Sequence, residues 1–252
     1  MPDPSDATRE MQRLLRRAQS TPDAADASDL PAADIVRHLQ PFLTERRQAR
    51  IEAVLEERTT TVVPVVEGIV NTGNVSAVMR SAEALGFHQF HVIMNAAAED
   101  TQFKTSRRTS QGAEKWLDVQ VWETPAACAR RLRERGYRVV VTHLDDAAVP
   151  LGTLDFTEPT AIVFGNERDG ASEALLAEAD ATCIVPMSGF TQSFNISVAA
   201  AVVLYHARED RLRRQGHHGD LPADAKEALR AHYFLQSVNR AADILARAQE
   251  EV

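Results

Sequence analysis

Cysteine is scarce in this sequence, and the two that occur, Cys128 and Cys183, stand far apart. Neither belongs to a CxxC pair or lies beside a cluster of histidines, so the sequence indicates neither a disulfide framework nor a zinc site. We expect both thiols to be buried and inert, and we expect no bound metal.

Long apolar runs are absent as well. The longest hydrophobic stretches have the length of a strand or are broken by polar residues, which is too short for a membrane span. The first residues, MPDPSDATRE, lack the basic-then-apolar order of a secretory signal. We therefore expect a cytoplasmic protein with no membrane partner.

Four fingerprints of common enzyme classes are missing too. The chain contains no GxGxxG, no GxxxxGK[ST], no GxSxG and no HExxH. These patterns mark phosphate-binding loops, the nucleophile elbow of α/β-hydrolases and the zinc helix of metalloproteases. Their absence weakens each of those assignments.

Lysine supplies only three of the 28 basic residues, and the net charge is −8. Taken alone, this charge argues against nucleic-acid binding, because phosphate neutralisation needs clustered cations. The arginines are clustered, however, and a guanidinium binds phosphate bidentately. A solvated helix face is the alternative interpretation of each cluster. The clusters are Arg13, Arg16 and Arg17; Arg46, Arg47 and Arg50; Arg107 and Arg108; and Arg208, Arg211, Arg213 and Arg214.

The first 60 residues show apolar positions at helical spacing. The segment PFLTERRQARIEAVLEERT predicts a helix capped by Thr44. Its predicted apolar stripe consists of Phe42, Ile51, Val54 and Leu55. We expect a helical extension here and another after the core.

Short Val/Ile-rich segments alternate with helical ones from Thr61 to about Ala207. Strand, helix, strand at this spacing predicts βαβ units and a parallel sheet with helices on its faces. We predict an N-terminal helical extension over 1–60, a core domain over 61–210 and a C-terminal helical extension over 211–252. Ligands of such sheets bind at the carboxyl ends of the strands.

Three polar stretches follow predicted strands: NTGNVSAVMRSA, FGNERDGAS and PMSGFTQSFNIS. In the first, we expect Asn74 to cap a helix that ends at Gly86, with Arg80 one to two turns inside it. A salt bridge from Arg80, for example to Glu167, is the structural alternative to a functional role. In the third, an amide and several hydroxyls before a helix would offer donors to an anionic ligand, and a capped loop is the alternative.

Together and in this order, over about residues 62–210, the three stretches are similar to the signature motifs of the SpoU/TrmH family of RNA 2′-O-ribose methyltransferases, in the SPOUT class. The helix before the core further resembles the TrmH branch, which methylates guanosine 18 in the D-loop of tRNA. The resemblance implies an α/β fold with a SPOUT-type parallel sheet, helices on both faces and a deep C-terminal trefoil knot. It also implies S-adenosylmethionine as methyl donor, a tRNA substrate, and a homodimer with its active site at the subunit interface.

The resemblance assigns roles position by position. The expected methyl-donor contacts are Thr142, Gly165, Ile184 and Phe194. Phe194 departs from the family, which usually has leucine there. The residues expected in catalysis and substrate positioning are Asn74, Arg80, Glu167, Ser193 and Asn195.

Arg80 is expected to clamp the phosphate beside the target ribose. A guanidinium is a poor base because it holds its proton tightly. We therefore expect Arg80 to lower the pKa of the 2′-hydroxyl electrostatically, with the proton leaving through Arg80, Glu167 or water.

The arginines outside the core are expected to bind tRNA phosphates without reading bases. They are Arg46, Arg47, Arg50, Arg208, Arg211, Arg213 and Arg214. Three alternatives stay open: the same chemistry on 23S ribosomal RNA, a catalytically idle RNA-binding protein with this fold, and an α/β nucleotide-binding enzyme unrelated to RNA.

Overall fold

A computed structural model of the protein describes residues 30–68, 71–94, 110–166, 170–191 and 193–250. Glu167 and the arginines at positions 13, 16, 17, 107 and 108 lie outside these ranges. The chain folds into two compact units. The described residues of Thr59–His218 form the larger unit, and the described residues up to Arg58 and from Gly219 onward together form the smaller one. The predicted division into 1–60, 61–210 and 211–252 stays a prediction.

The larger unit is built on a sheet whose strand pairings are all parallel. Its strands are β1 (Val62–Glu67), β2 (Gln89–Ile93), β3 (Asp118–Trp122), β4 (Arg138–Thr142), β5 (Val149–Pro150), β6 (Thr160–Phe164) and β7 (Ala181–Ile184). They lie in the order β3-β2-β1-β6-β4-β7-β5. The predicted parallel sheet is confirmed.

The helices in the described part of the chain are α1 (Ala32–Leu39), α2 (Glu45–Glu56), α3 (Thr72–Ala84), α4 (Pro125–Glu134), α5 (Glu173–Leu176), α6 (Ile196–Gln215), α7 (Ala223–Ser237) and α8 (Ala241–Glu250). None of the helices in these ranges is long and apolar enough to cross a membrane. The C-terminal segment forms two helices, α7 and α8. They are separate because the backbone is extended at Val238 and left-handed at Arg240.

Apolar side chains alternate between the two faces of the sheet, as the strand period of two requires. On β1, Val62 and Val66 pack with α3 and α6 on one face. Val63 and Val65 pack with α4 and α5 on the other face. Helices therefore cover both faces, as predicted, and each large buried side chain contributes about 1.5–3 kcal/mol.

In the smaller unit, α1 packs against α7 and α8, and α2 packs against α7. Thr44 caps α2 as predicted, because its hydroxyl accepts a hydrogen bond from Arg47 N at 3.2 Å. Ile51 and Leu55 are buried. Phe42 is 59% exposed in a 3-10 turn before α2, so its place in the apolar stripe was predicted wrongly.

Candidate functional site

Three of the four predicted methyl-donor contacts lie at one edge of the sheet. Thr142 ends β4 and pairs with Phe164 of β6 on one side and Cys183 of β7 on the other. Gly165 directly follows Phe164, and Ile184 directly follows Cys183. Neighbouring strands are about 4.8 Å apart, so the three positions span roughly 10 Å. The parallel sheet thus gathers residues from three separate segments.

Gly165 stands where the chain leaves β6 and doubles back. Asn166 and Gly170 exchange two backbone hydrogen bonds of 2.9 and 3.1 Å. A Cβ at Gly165 would lie 2.3 Å from both Ala171 N and Gly170 C. Only glycine fits this close backbone approach. The turn thereby keeps the Gly165 backbone at the end of β6.

The side chains around Thr142 are suited to holding a ligand rather than to reacting with one. The Thr142 hydroxyl donates to Val163 O at 3.1 Å, which fixes the threonine against β6. Cys183 is buried, and burial raises the pKa of its thiol to about 12. Burial also raises the pKa of Cys128 to about 12. Both thiols therefore stay protonated near neutral pH, as the expectation of inert cysteines requires.

Helix α3 begins three residues earlier than predicted. Its N-cap is Asn71, whose side-chain oxygen accepts from Gly73 N at 2.8 Å. Asn74 is half-buried in the first turn, and its own N–H already donates to Asn71 O. The capping role predicted for Asn74 was therefore wrong. The end of the helix agrees with the prediction, because Gly86 follows it with a φ of +92°.

Arg80 lies in the third turn of α3, with its side chain exposed. Its side chain forms no hydrogen bond or ion pair with the residues that the structure describes. The salt bridge considered as an alternative has Glu167 as its partner, and because Glu167 lies outside the described residues, that alternative stays open. Helix α3 packs against α6, whose N-terminus follows the third motif.

The residues before α6 are exposed. Ser193, Phe194 and Asn195 all contact solvent, with Phe194 at 43% exposure. Asn195 caps α6, because its side-chain oxygen accepts from the N–H and the hydroxyl of Ser197 at 2.9 and 2.6 Å. The oxygen is thus occupied by the helix, and the N–H₂ group of Asn195 is the part that can bind a ligand.

The arginines of α2 differ in their surroundings. Arg46 and Arg50 are exposed one turn apart, and neither side chain has a hydrogen-bond or ion-pair partner among the described residues. Arg47 is half-buried and donates to Ser237 Oγ at 3.1 and 3.3 Å. Arg46 and Arg50 are therefore the arginines of α2 best placed to meet a phosphate.

Near the end of α6, the Arg211 side chain is buried and not exposed at the surface. Its guanidinium donates to His218 O and Phe156 O. The sequence interpretation treated it as one of four equivalent surface arginines. Its hydrogen bonds instead anchor α6 to the loop before β6, so the RNA surface proposed below leaves Arg211 out.

Asp210 partly neutralises its arginine neighbours. Burial raises the pKa of this carboxyl, but hydrogen bonds from Arg214, Phe156 N and Arg213 outweigh it, so the pKa lies below its ordinary value. The Arg213 and Arg214 side chains keep 62% and 40% exposure. Arg208 lies near Glu209, with 29% of its side chain exposed.

Sequence reasoning missed one polar residue at this edge. Glu67 ends β1, is buried, and accepts hydrogen bonds from Ser172. Its position at the tip of a predicted strand was the available signal. Among the residues that the structure describes, no group of three or more His, Cys, Asp or Glu side chains could hold a metal ion.

The fold is that of an α/β protein with a parallel sheet, in which ligands bind at the carboxyl ends of the strands, where three of the predicted donor contacts lie. The fold alone does not define the chemistry, and comparison with known proteins identifies the family. The family model of the SpoU rRNA Methylase family matches residues 61–205, so the chain belongs to this family. The family resemblance stated from the motifs is confirmed.

Relatives and solved structures agree with this assignment. A tRNA (guanosine(18)-2'-O)-methyltransferase from Thermus thermophilus is 38% identical over 170 residues, which cover 68% of this chain and 86% of the relative. The crystal structure of the A. aeolicus TrmH/SpoU tRNA modifying enzyme is similar with a TM-score of 0.68 at 27% identity, covering 77% of this chain and 98% of that one. The SpoU methyltransferase AviRb from Streptomyces viridochromogenes, solved in complex with the cofactor AdoMet, is similar with a TM-score of 0.54 at 28% identity, covering 62% and 59%.

Proposed function

We propose that this protein transfers a methyl group from S-adenosylmethionine to the ribose 2′-oxygen of guanosine 18 in the D-loop of tRNA. The observation that carries the proposal is the convergence of Thr142, Gly165 and Ile184 at one sheet edge. The substrate is supported by the relative from Thermus thermophilus, whose name states this reaction and which matches two thirds of the chain. A guanosine of 23S ribosomal RNA is the alternative target.

The residues at the edge fit the methyl donor. Gly165 has no side chain and offers the donor only its backbone, and the half-buried Ile184 supplies apolar surface for an adenine. Phe194, exposed in the third motif, is the remaining candidate contact. When bound, the donor supplies an electrophilic methyl group on a sulfonium.

The chain's own side chains hold the RNA for this reaction. Arg80 clamps the phosphate beside the target ribose, which fixes the 2′-oxygen for in-line attack and lowers the pKa of its hydroxyl. Asn74, Ser193 and Asn195 donate hydrogen bonds that orient the nucleotide. Glu167, which lies outside the described residues, is the candidate to take the proton onward.

Arginines of both units are further candidates to bind tRNA phosphates. On α2, Arg46 and Arg50 are the main candidates, because both side chains are exposed without a described partner. Arg47, Arg208, Arg213 and Arg214 contribute less, because each already has a polar or acidic neighbour. These contacts position the tRNA without reading its bases.

The active protein is a homodimer that buries an exposed apolar stripe. The stripe consists of Phe194, Val198, Val202 and Tyr205, which are 43%, 47%, 40% and 55% exposed. Intervals of four, four and three residues place the α6 members on one helix face, with Phe194 just before the helix. A second copy covers the stripe, and because Ser193 and Asn195 lie at its end, the active site lies at the subunit interface.

The C-terminal half of the domain forms a deep trefoil knot. The strand order supports it, because β7 lies between β4 and β5 although residues 143–148 join those two strands directly. The chain leaves β7 at the carboxyl edge of the sheet, where residues 143–148 also run. It must therefore pass residues 143–148 to continue. A cytoplasmic location and the division into 1–60, 61–210 and 211–252 also stay predictions.

The function is tested with an unmodified tRNA transcript and methyl-labelled S-adenosylmethionine, followed by nuclease mapping of the labelled nucleotide. The expected result is label in 2′-O-methylguanosine at position 18. Label only in a 23S ribosomal RNA fragment offered in parallel would support the alternative target. No transfer to either RNA by folded protein would contradict the enzyme assignment.

A further inference from the structure

A buried carboxylate lies at the carboxyl end of β1. Glu67 is the last residue of this strand, pairs in register with Ile93 of β2 and is 6% exposed. The other neighbour of β1 is β6, which leads directly into Gly165. Burying a charged carboxylate is unfavourable unless hydrogen bonds compensate it, so the partners of Glu67 decide its role.

Within the part of the chain that the structure describes, the two hydrogen-bond donors to Glu67 both belong to Ser172, which is 105 residues away in the chain. One carboxylate oxygen accepts from Ser172 N at 2.9 Å, and the other accepts from the Ser172 hydroxyl at 2.5 Å. The same hydroxyl accepts from Leu175 N at 3.1 Å and so caps α5. Hydrogen bonds to an ionised acceptor are among the strongest in proteins, so Glu67 ties the start of α5 to the end of β1.

Ser172 also holds the backbone that lies against Gly165. Gly170 and Ala171 precede it directly, and these are the residues whose backbone lies against Gly165. Asn166 and Gly170 close the turn with two backbone hydrogen bonds. A displacement of Ser172 is therefore passed to Gly165 through backbone that has no free space.

We propose that Glu67 is a positioning residue of the methyl-donor site. It holds Ser172, and through it the backbone of Gly170 and Ala171, so that Gly165 keeps its place beside Thr142 and Ile184. Glu67 itself contacts neither donor nor RNA. This inference rests on the proposed function because it takes Gly165 to be a donor contact.

The test measures binding of S-adenosylhomocysteine to the full-length protein by calorimetry, since this product is not consumed. Glu67→Ala is expected to weaken binding at least about tenfold, the factor that corresponds to losing hydrogen bonds to a charged group. Ser172→Ala is expected to weaken it about three- to tenfold, because the carboxylate keeps the bond from the backbone N–H. Glu67→Gln should lie between wild type and Glu67→Ala, since an amide can accept from Ser172 N and donate to the hydroxyl. The double variant Glu67→Ala/Ser172→Ala should bind within about twofold of Glu67→Ala, because the two residues act in series.

Thr124→Ala is the matched control, because it also removes a hydroxyl cap. The Thr124 hydroxyl accepts from Ala127 N at 3.2 Å at the start of α4. Donor affinity within about twofold of wild type is expected for this variant. Its free energy of unfolding should fall, as it does when other helix N-caps are removed. Affinity for tRNA should stay near wild type in all of these variants.

Wild-type donor affinity in folded Glu67→Ala, or in Ser172→Ala and Glu67→Gln if Glu67→Ala does not fold, would overturn the proposal. So would an equal loss of donor affinity in Thr124→Ala. Wild-type protein that binds no S-adenosylhomocysteine would instead contradict the proposed function, so the two failures are distinguishable.

Discussion

Arg80 has the properties that ribose methylation requires of a phosphate-binding side chain. It is exposed on α3 and has no ion pair within the described residues, so its planar guanidinium can bind two phosphate oxygens at once. Lysine offers a single point charge and cannot reproduce this geometry. The side chain is therefore expected to matter for the reaction and not for the fold.

Replacing Arg80 by lysine separates charge from geometry. Arg80→Lys is expected to lower the single-turnover methylation rate by about 10²-fold, the usual effect of losing one preorganised donor. The melting temperature should not change. Arg50→Lys is the control, since Arg50 is likewise exposed without a described partner, and it should change the rate by less than about threefold. A near-wild-type rate in Arg80→Lys would refute the clamp.

Gly165 is required by the turn that it begins. Gly165→Ala is expected to lower the free energy of unfolding by about 1–3 kcal/mol, because the added Cβ would lie 2.3 Å from Ala171 N. Gly152 has no atom within 4 Å of such a Cβ, so Gly152→Ala should change stability by less than about 1 kcal/mol. Urea denaturation of both variants checks this, and equal effects would be inconsistent with the crowded turn.

Among the elements, α6 has two contrasting faces. One face, which includes Ala200, Val203 and Leu204, is buried against the sheet and α3. The other carries the exposed stripe that we assign to a second copy of the chain. The same helix thus joins the core, the residues of the third motif and the proposed dimer contact.

A charge in the stripe should break the dimer. Val202→Glu is expected to give a monomer in sedimentation analysis and to abolish methylation, because an unpaired carboxylate cannot be buried in an apolar interface. Val121→Glu is the matched control, since Val121 on β3 is 44% exposed and Val202 is 40% exposed. The control should keep the assembly of the wild type. A dimer of unchanged stability in Val202→Glu would show that the stripe is not the interface.

Five strands of the larger unit, β1, β2, β4, β6 and β7, coincide with the Val/Ile-rich segments of the sequence and were predictable from that pattern. Strand β3 was missed because its sequence, DVQVW, is half polar and Val121 points to solvent, as a sheet-edge strand permits. Strand β5 has only two residues, too few for any periodic signal. The start of α3 was misplaced because Asn71 and Asn74 have the same side chain, and only the hydrogen bond to Gly73 distinguishes the cap.

At the scale of the whole molecule, pattern reasoning fails where contacts are long-range. Nothing in the spacing of Arg208, Arg211, Arg213 and Arg214 shows that Arg211 donates to Phe156 O, 55 residues away. The bonds between Glu67 and Ser172 are invisible for the same reason. The predicted donor contacts Thr142, Gly165 and Ile184 were assigned by the family resemblance and stay predictions. Their common place at the ends of strands could be expected, because a parallel sheet brings the carboxyl ends of its strands to one edge.

The RNA surface makes a prediction about salt. The double variant Arg46→Ala/Arg50→Ala is expected to bind tRNA more weakly and to reduce the slope of log affinity against log salt concentration by about one to two, one for each lost phosphate contact. Arg130 and Arg131 are exposed on α4, outside the proposed surface, so their double alanine variant is the control and should leave the slope unchanged. Filter binding over a salt series measures both. Equal slopes in wild type and the α2 variant would mean that these arginines are ordinary surface charges.

The central claim is that the 2′-oxygen of guanosine 18 receives the methyl group at a site formed by separate segments of this chain. Two tRNAs that differ only in a 2′-deoxy substitution at position 18 test it most directly, with labelled S-adenosylmethionine as donor. We predict stoichiometric transfer to the unsubstituted tRNA and none to the 2′-deoxy tRNA. Equal transfer to both RNAs would contradict the account.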